Sequence, residues 1–74
     1  MNQNTLETFL AILETGSLAK ASKRLYVGQS TVTTRLKRLE DELGQILFNR
    51  TKSGVTLTSS GHKFRRYAET MTDL

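Results

Sequence analysis

The sequence predicts one small, mainly α domain: a three-helix core, a two-stranded β-hairpin and a final helix. Three observations predict it. Apolar residues recur at helical spacing in three segments ahead of Gly44. A three-residue joint, Tyr26-Val27-Gly28, separates the second segment from the third. Two short strand-like runs, Ile46-Leu47-Phe48 and Val55-Thr56-Leu57, flank a polar turn.

The first helix is expected over Thr5–Thr15, where Leu6, Phe9, Leu10 and Leu13 follow the i, i+3, i+4, i+7 rule. Asn4 or Thr5 can cap it, Glu7 lies near the positive end of its dipole, and Gly16 supplies a left-handed stop. Ser17 then caps a shorter helix whose buried face is Leu18, Ala21 and Leu25, with Val27 plugging the core from the turn. The third helix runs from Gln29 to Leu43. Val32, Leu36, Leu39 and Leu43 form its apolar stripe, and its other face carries Gln29, Ser30, Thr31, Thr33, Thr34, Arg35, Lys37 and Arg38. Gly44 stops it after Glu40-Asp41-Glu42, three acids that oppose the dipole unless bases pair with them. Between the strand candidates, Asn49 to Gly54 reads as a basic hairpin tip with a glycine for positive φ. Thr58 caps the last helix, whose apolar positions are Phe64, Tyr67, Ala68, Met71 and Leu74. Proline is absent, so glycine does all the punctuation.

Composition excludes several functions. The chain has 74 residues, the size of one domain, and such a short chain buries only about 60% of its unfolded surface, so a dimer or a piece of something longer is expected. With no cysteine there are no disulfides, thiolate metal sites or cysteine nucleophile, and His62 alone cannot build a His-rich metal site. His62 reads as an exposed first-turn residue. No carboxylate pair, phosphate-cradling glycine loop or nucleophile–base pair is visible, so neither catalysis nor a cofactor is expected. The longest apolar run, Phe9 to Leu13, has five residues, far short of the roughly 20 that span a bilayer. No signal-peptide pattern opens the chain. The expected location is the cytoplasm.

Charge gives the positive lead. Eleven Lys and Arg against seven Asp and Glu leave a net +4. The bases cluster: six fall between Thr15 and Leu39 and five between Leu43 and Ala68, with no acid in either stretch. Such zones suit an anionic partner, nucleic acid first, although a solvated basic face would read the same way.

A short helix, a tight turn and a longer helix make a helix-turn-helix, and the basic hairpin makes it winged. The third helix must then present short polar side chains at its N-terminal end, because that end approaches base edges in the major groove. Gln29, Ser30, Thr33 and Thr34 meet this demand; glutamine can pair with an adenine edge, and the hydroxyls can donate or accept. Thr31, Lys37 and Arg38, with Lys20, Lys23 and Arg24 on the preceding helix, suit backbone phosphates. Arg50 and Lys52 suit an adjacent minor groove or its phosphates. A winged helix used for protein contacts, or for nonspecific or RNA binding, fits the same fold but gives no reason for the small polar residues from Gln29 to Thr34.

Gly16-Ser17-Leu18, Ala21, Leu25, Val27, Gln29-Ser30, Val32, Leu36, the run Leu39-Glu40-Asp41-Glu42-Leu43-Gly44-Gln45-Ile46-Leu47-Phe48-Asn49-Arg50, and Leu57-Thr58 with Gly61 together resemble the N-terminal domain of LysR-type transcriptional regulators, over essentially the whole chain. The resemblance implies bacterial, sequence-specific binding of double-stranded DNA and control of transcription. It implies a winged domain over residues 1–58 and the start of a linker helix over 59–74. That helix would pair two chains into a homodimer through Phe64, Tyr67, Ala68 and Met71. A C-terminal domain sensing a small-molecule inducer would be absent from this chain. By the same resemblance Gln29, Ser30, Thr33 and Thr34 match groove-facing positions, Arg50 and Lys52 match the wing, and Ser17 matches a phosphate contact. Three residues depart from the family's pattern: Gly28 stands where a capping Ser is usual, Ser30 replaces a frequent Pro, and Thr34 replaces Arg or another long polar residue, which shifts the expected base contact there to Arg35.

Overall fold

The computed structural model describes residues 2–72. Among them the element order is α1 (Gln3–Thr15), α2 (Leu18–Leu25), α3 (Gln29–Leu43), β1 (Phe48–Thr51), β2 (Gly54–Leu57) and α4 (Ser59–Thr72). This is the expected mainly α, winged helix-turn-helix architecture. Leu74 lies outside the described residues.

Helix α1 starts earlier than the spacing predicts. Asn2 caps it, its Oδ1 accepting from the Thr5 backbone N–H at 2.9 Å and from the Thr5 hydroxyl at 2.9 Å. Thr5 and Thr8 are buried despite their hydroxyls, because the Thr8 hydroxyl donates to the Asn4 carbonyl at 2.8 Å and so loses no hydrogen bond. The ends of α1 and α2 follow the sequence closely. Gly16 takes the left-handed conformation at φ +81°, and the Ser17 Oγ accepts from the Lys20 N–H at 3.0 Å. The joint between α2 and α3 is tight because Tyr26 itself adopts the left-handed region at φ +58°, with the Val27 N–H donating to the Ser22 carbonyl at 3.1 Å.

The core centres on Phe9, which is fully buried. Its ring lies 5.2 Å from that of Phe48 and 4.9 Å, edge-on, from that of Phe64. One residue of α1 thus ties the first strand and the last helix to the three-helix core. Ile12, Val32, Leu39 and Leu47 fill the space around it. The α3 stripe is buried at Val32, Leu36 and Leu39, but Leu43 is 40% exposed, since the helix outruns the core.

The hairpin corrects the expected strand limits. Strand pairing is carried by backbone groups, so polar residues enter it on the solvent side. Asn49, Arg50 and Thr51 belong to β1, paired with Thr56, Val55 and Gly54, and the turn shrinks to Lys52-Ser53. Ile46 lies ahead of the strand and is exposed, while Leu47 is buried.

The start of α4 is clamped to the segment that leads into β1. The Thr58 N–H donates to the Leu47 carbonyl at 3.0 Å, its hydroxyl donates to the Ile46 carbonyl at 2.6 Å, and its Oγ1 accepts from the Gly61 N–H at 2.9 Å. A Cβ on Gly61 would sit 2.2 Å from the Leu47 carbonyl oxygen, so no larger residue fits. As expected, Thr58 caps α4.

Replacing Phe9 with Ala removes the ring shared by three elements. The expected cost is about 3–5 kcal/mol, close to the whole stability of a domain this small. Urea unfolding followed by circular dichroism checks it, and a cost below about 1 kcal/mol would contradict this account of the core.

Candidate nucleic-acid interface

Helix α3 turns its polar face outward. Gln29, Ser30, Thr34, Lys37 and Arg38 are exposed; Thr31, Thr33 and Arg35 are half-buried. Its N-terminus is capped by Gly28, with no side-chain hydrogen bond. The Thr31 and Val32 N–H groups donate to the Gly28 carbonyl, and no side chain caps the opening turn. Such a helix start attracts an anion.

Three shallow grooves divide the predicted residues. The first runs between the wing and the starts of α2 and α3, and brings together Ser17, Gln29, Arg50, Lys52 and Ser53. The second is formed by Ser30, Thr31, Thr34, Arg35 and Arg38, all on α3. The third joins Thr33, Lys37 and Arg50 to Glu40, Asp41 and Ile46. Arg50 lines both grooves on the wing side of α3. Lys20 is exposed on the first turn of α2 and lines none of the three.

Ser17 has a double position. Its oxygen accepts from the Lys20 N–H as the α2 cap, which leaves its O–H to donate into the first groove. The wing stands beside it because the Val55 N–H donates to the Gly16 carbonyl at 3.0 Å.

A family model described as the bacterial regulatory helix-turn-helix protein, lysR family, matches residues 3–62. The chain belongs to the lysR family. It is 38% identical over 74 residues to the HTH-type transcriptional regulator TcbR of Pseudomonas sp. (strain P51), covering 100% of this chain and 25% of the relative. Among solved structures, the CbnR_DBD-DNA complex superposes with a TM-score of 0.93 at 37% identity, over 99% of this chain and 84% of that one. Full-length CbnR complexed with its target DNA gives a TM-score of 0.94 at 38% identity, over 100% of this chain and 26% of that one. The chain spans about a quarter of the length of the curated relatives it matches. Those relatives are transcriptional regulators. Among the described residues, no helix is long and apolar enough to cross a membrane.

Within this lysR-family domain, several expected roles need correction. Phe64 and Ala68, expected on a dimer face, are buried in the chain's own core, Phe64 against Phe9. Of that stripe Tyr67, 52% exposed, and Met71, 39% exposed, remain on the surface. The stripe is wide enough to serve two sides, and the core takes the inner one. Arg24, grouped by sequence with the phosphate-binding bases, is paired with Glu14 at 2.6 Å. Glu40 and Asp41 border the third groove, and the Glu40 carboxylate accepts from the Leu47 N–H at 2.8 Å. His62 is exposed in the first turn of α4, as expected.

Sequence reasoning missed Ser53 and Gly54 as parts of the first groove. Their only signal is a Ser-Gly pair at the hairpin turn, which spacing alone assigns to the turn and not to a contact with α1 and α2.

The two caps lead to opposite expectations. Ser17→Ala removes the oxygen that holds the Lys20 N–H and costs about 1 kcal/mol, roughly 4–8 °C in Tm for a domain of this size. Gly28→Ser adds the missing cap oxygen at a position where a new Cβ meets only the Ser30 Oγ, at 3.8 Å, and gains a few tenths of a kcal/mol. Thermal melts of both variants check the signs. An unchanged Tm for Ser17→Ala would mean that the hydroxyl does not cap α2.

Proposed function

We propose that this chain is the DNA-reading domain of a bacterial LysR-type transcription regulator. It binds double-stranded DNA sequence-specifically, with α3 in the major groove and the wing at the adjacent minor groove or backbone. The observation that carries the reading is the composition of α3's outer face. Its first turn and a half presents Gln29, Ser30, Thr33 and Thr34 with no acid or bulky residue, and the basic wing shares grooves with Gln29 and Thr33. Likeness over nearly the whole chain to a domain solved on DNA supports it.

Gln29, Ser30, Thr33, Thr34 and Arg35 are assigned to base edges. Ser17, Lys20, Thr31, Lys37 and Arg38 are assigned to phosphates, and Arg50 and Lys52 to the wing contact. The regulator acts as a homodimer, with Tyr67 and Met71 on the exposed side of α4 meeting a second copy and residues 59–74 opening the linker helix. Two copies place two α3 helices in successive major grooves, one helical turn or a multiple apart. The protein works in the cytoplasm, where bacterial DNA is, and it is not an enzyme. It needs no cofactor for binding. A small-molecule inducer acts through a C-terminal domain of the whole regulator and not through these residues.

Selection of bound duplexes from a random pool tests the reading, and a recovered partly palindromic motif is the expected result. On that motif Gln29→Ala relaxes sequence choice at one position, costing about 1–3 kcal/mol of discrimination there. Arg38→Ala weakens all duplexes alike and lowers the salt slope by about 1. Equal affinity for the selected and a scrambled duplex across a salt series would overturn the proposal.

A further inference from the structure

The wing touches the rest of the domain at a point where no side chain fits. Gly54 opens β2 with φ at +145°, and a Cβ built on it would lie 2.3 Å from the Gly16 carbonyl oxygen and 3.9 Å from the Ser17 Cβ. That same carbonyl accepts from the Val55 N–H at 3.0 Å. The obstacle is backbone at the α1–α2 junction, which cannot turn aside as a flexible side chain could. Two features of the hairpin, a bare Cα and an inward N–H, therefore converge on one oxygen. Gly16 contrasts with it. Its φ of +81° also favours glycine, but a Cβ there would meet nothing within 4 Å. Gly16 answers to the helix stop, whereas Gly54 answers to a close approach.

The consequence falls on the first groove. Its wall is the wing, with Arg50 and Lys52, and its opposite side is Ser17 and Gln29. Arg50 pairs directly with Val55 across the hairpin, and Thr51 with Gly54. The residue that donates to Gly16 is thus the cross-strand partner of the basic residue that lines the groove. Any displacement of β2 from the α1–α2 junction carries Arg50 away from Gln29 by a similar amount.

We infer that Gly54 is a positioning residue for DNA recognition: its bare Cα lets the Gly16–Val55 hydrogen bond close, and that clasp holds Arg50 and Lys52 at a fixed distance from the reading end of α3. Wing and helix then meet DNA as one rigid reader rather than as a helix with a tethered basic arm. This inference rests on the functional reading above and concerns only how the wing is held.

The test is a double-mutant cycle on the selected duplex. Gly54→Ala weakens binding by roughly tenfold, about as much as Arg50→Ala with Lys52→Ala. The triple variant is no weaker than either, because a displaced wing has no contact left to lose. Base preference at the position read by Gln29 stays as in the native chain, while protection of the DNA flank under the wing is lost. Asn2→Ala is the control: it removes the cap at the far end of α1 and leaves the clasp untouched, so it lowers Tm while the folded protein keeps its affinity. Losses that add fully in the triple variant, or native affinity in Gly54→Ala, would overturn the inference while native DNA binding left the functional reading standing. A native chain that binds no DNA would overturn both. Should Gly54→Ala fail to fold, amide exchange in the native protein decides: a Val55 amide as protected as the core helices supports the clasp, and one exchanging as fast as Lys52 and Ser53 overturns it.

Discussion

The carbonyl of Gly16 stands where three parts of the chain meet. Helix α1 ends there in a left-handed turn whose N–H returns to the Ile12 carbonyl at 2.8 Å. Helix α2 begins one residue later, capped by Ser17. Strand β2 docks on the same carbonyl through Val55. A carbonyl oxygen has two lone pairs and a fixed direction, so this one both satisfies the Val55 N–H and sets an angle. Besides it the hairpin has its own pairing and the packing of Phe48, Val55 and Leu57 on the core, and a two-stranded hairpin alone is marginally stable. The relation between the wing and α3 is therefore a property of the helical core, to which the Gly16 carbonyl adds a fixed direction.

Phe9 performs the corresponding task inside. Its ring contacts on Phe48 and Phe64 hold the base of the wing and the first half of α4 against α1. Each aromatic contact adds about 0.5–1.5 kcal/mol beyond area burial, which matters in a chain with so small a core. The arrangement also explains why α4 cannot offer its whole apolar stripe to a partner. Ala68 is fully buried and Phe64 nearly so, hence the inner side of the first three turns of α4 is committed to this domain. Tyr67 lies beside Phe64, their ring centroids 5.8 Å apart, and points its exposed half outward. The Thr58–Leu47 clamp anchors the start of that helix to the domain.

The helices were legible because their limits are written in local chemistry. Ser17, Gly16, Gly44 and Thr58 each act within a few residues, so the spacing of caps and stops is enough to place α2, α3 and the start of α4. The α1 start was missed because Asn2, Asn4 and Thr5 can all cap, and only packing at Leu6 and Phe9 chooses among them. The hairpin limits were missed because apolar alternation marks buried positions, whereas Asn49 to Thr51 pair through backbone alone. The α3 face of the site was legible for the same local reason: Gln29, Ser30, Thr33 and Thr34 share one side of a single helix. Its division into grooves was not, since Arg50 comes beside Gln29 and Thr33 through the hairpin's tertiary contacts, among them one with Gly16, more than 30 residues away in sequence. Periodicity is blind to such a contact.

The acids complete the electrostatic design. Glu14 and Glu69 pair with Arg24 and Arg65 at 2.6 and 2.7 Å, exposed pairs that contribute little stability but withdraw two bases from the surface field. Glu40 and Asp41 do something different, because they lie at one end of the groove that Thr33, Lys37 and Arg50 also line. Along α3 the bases Arg35, Lys37 and Arg38 occupy the middle of the helix and the carboxylates its last turn. The acidic end is therefore a poor neighbour for phosphates, and the middle of the helix a good one. The hydrogen bond from Leu47 N–H keeps the Glu40 carboxylate in that position at 2.8 Å. The net charge of +4 therefore understates the asymmetry of charge along α3.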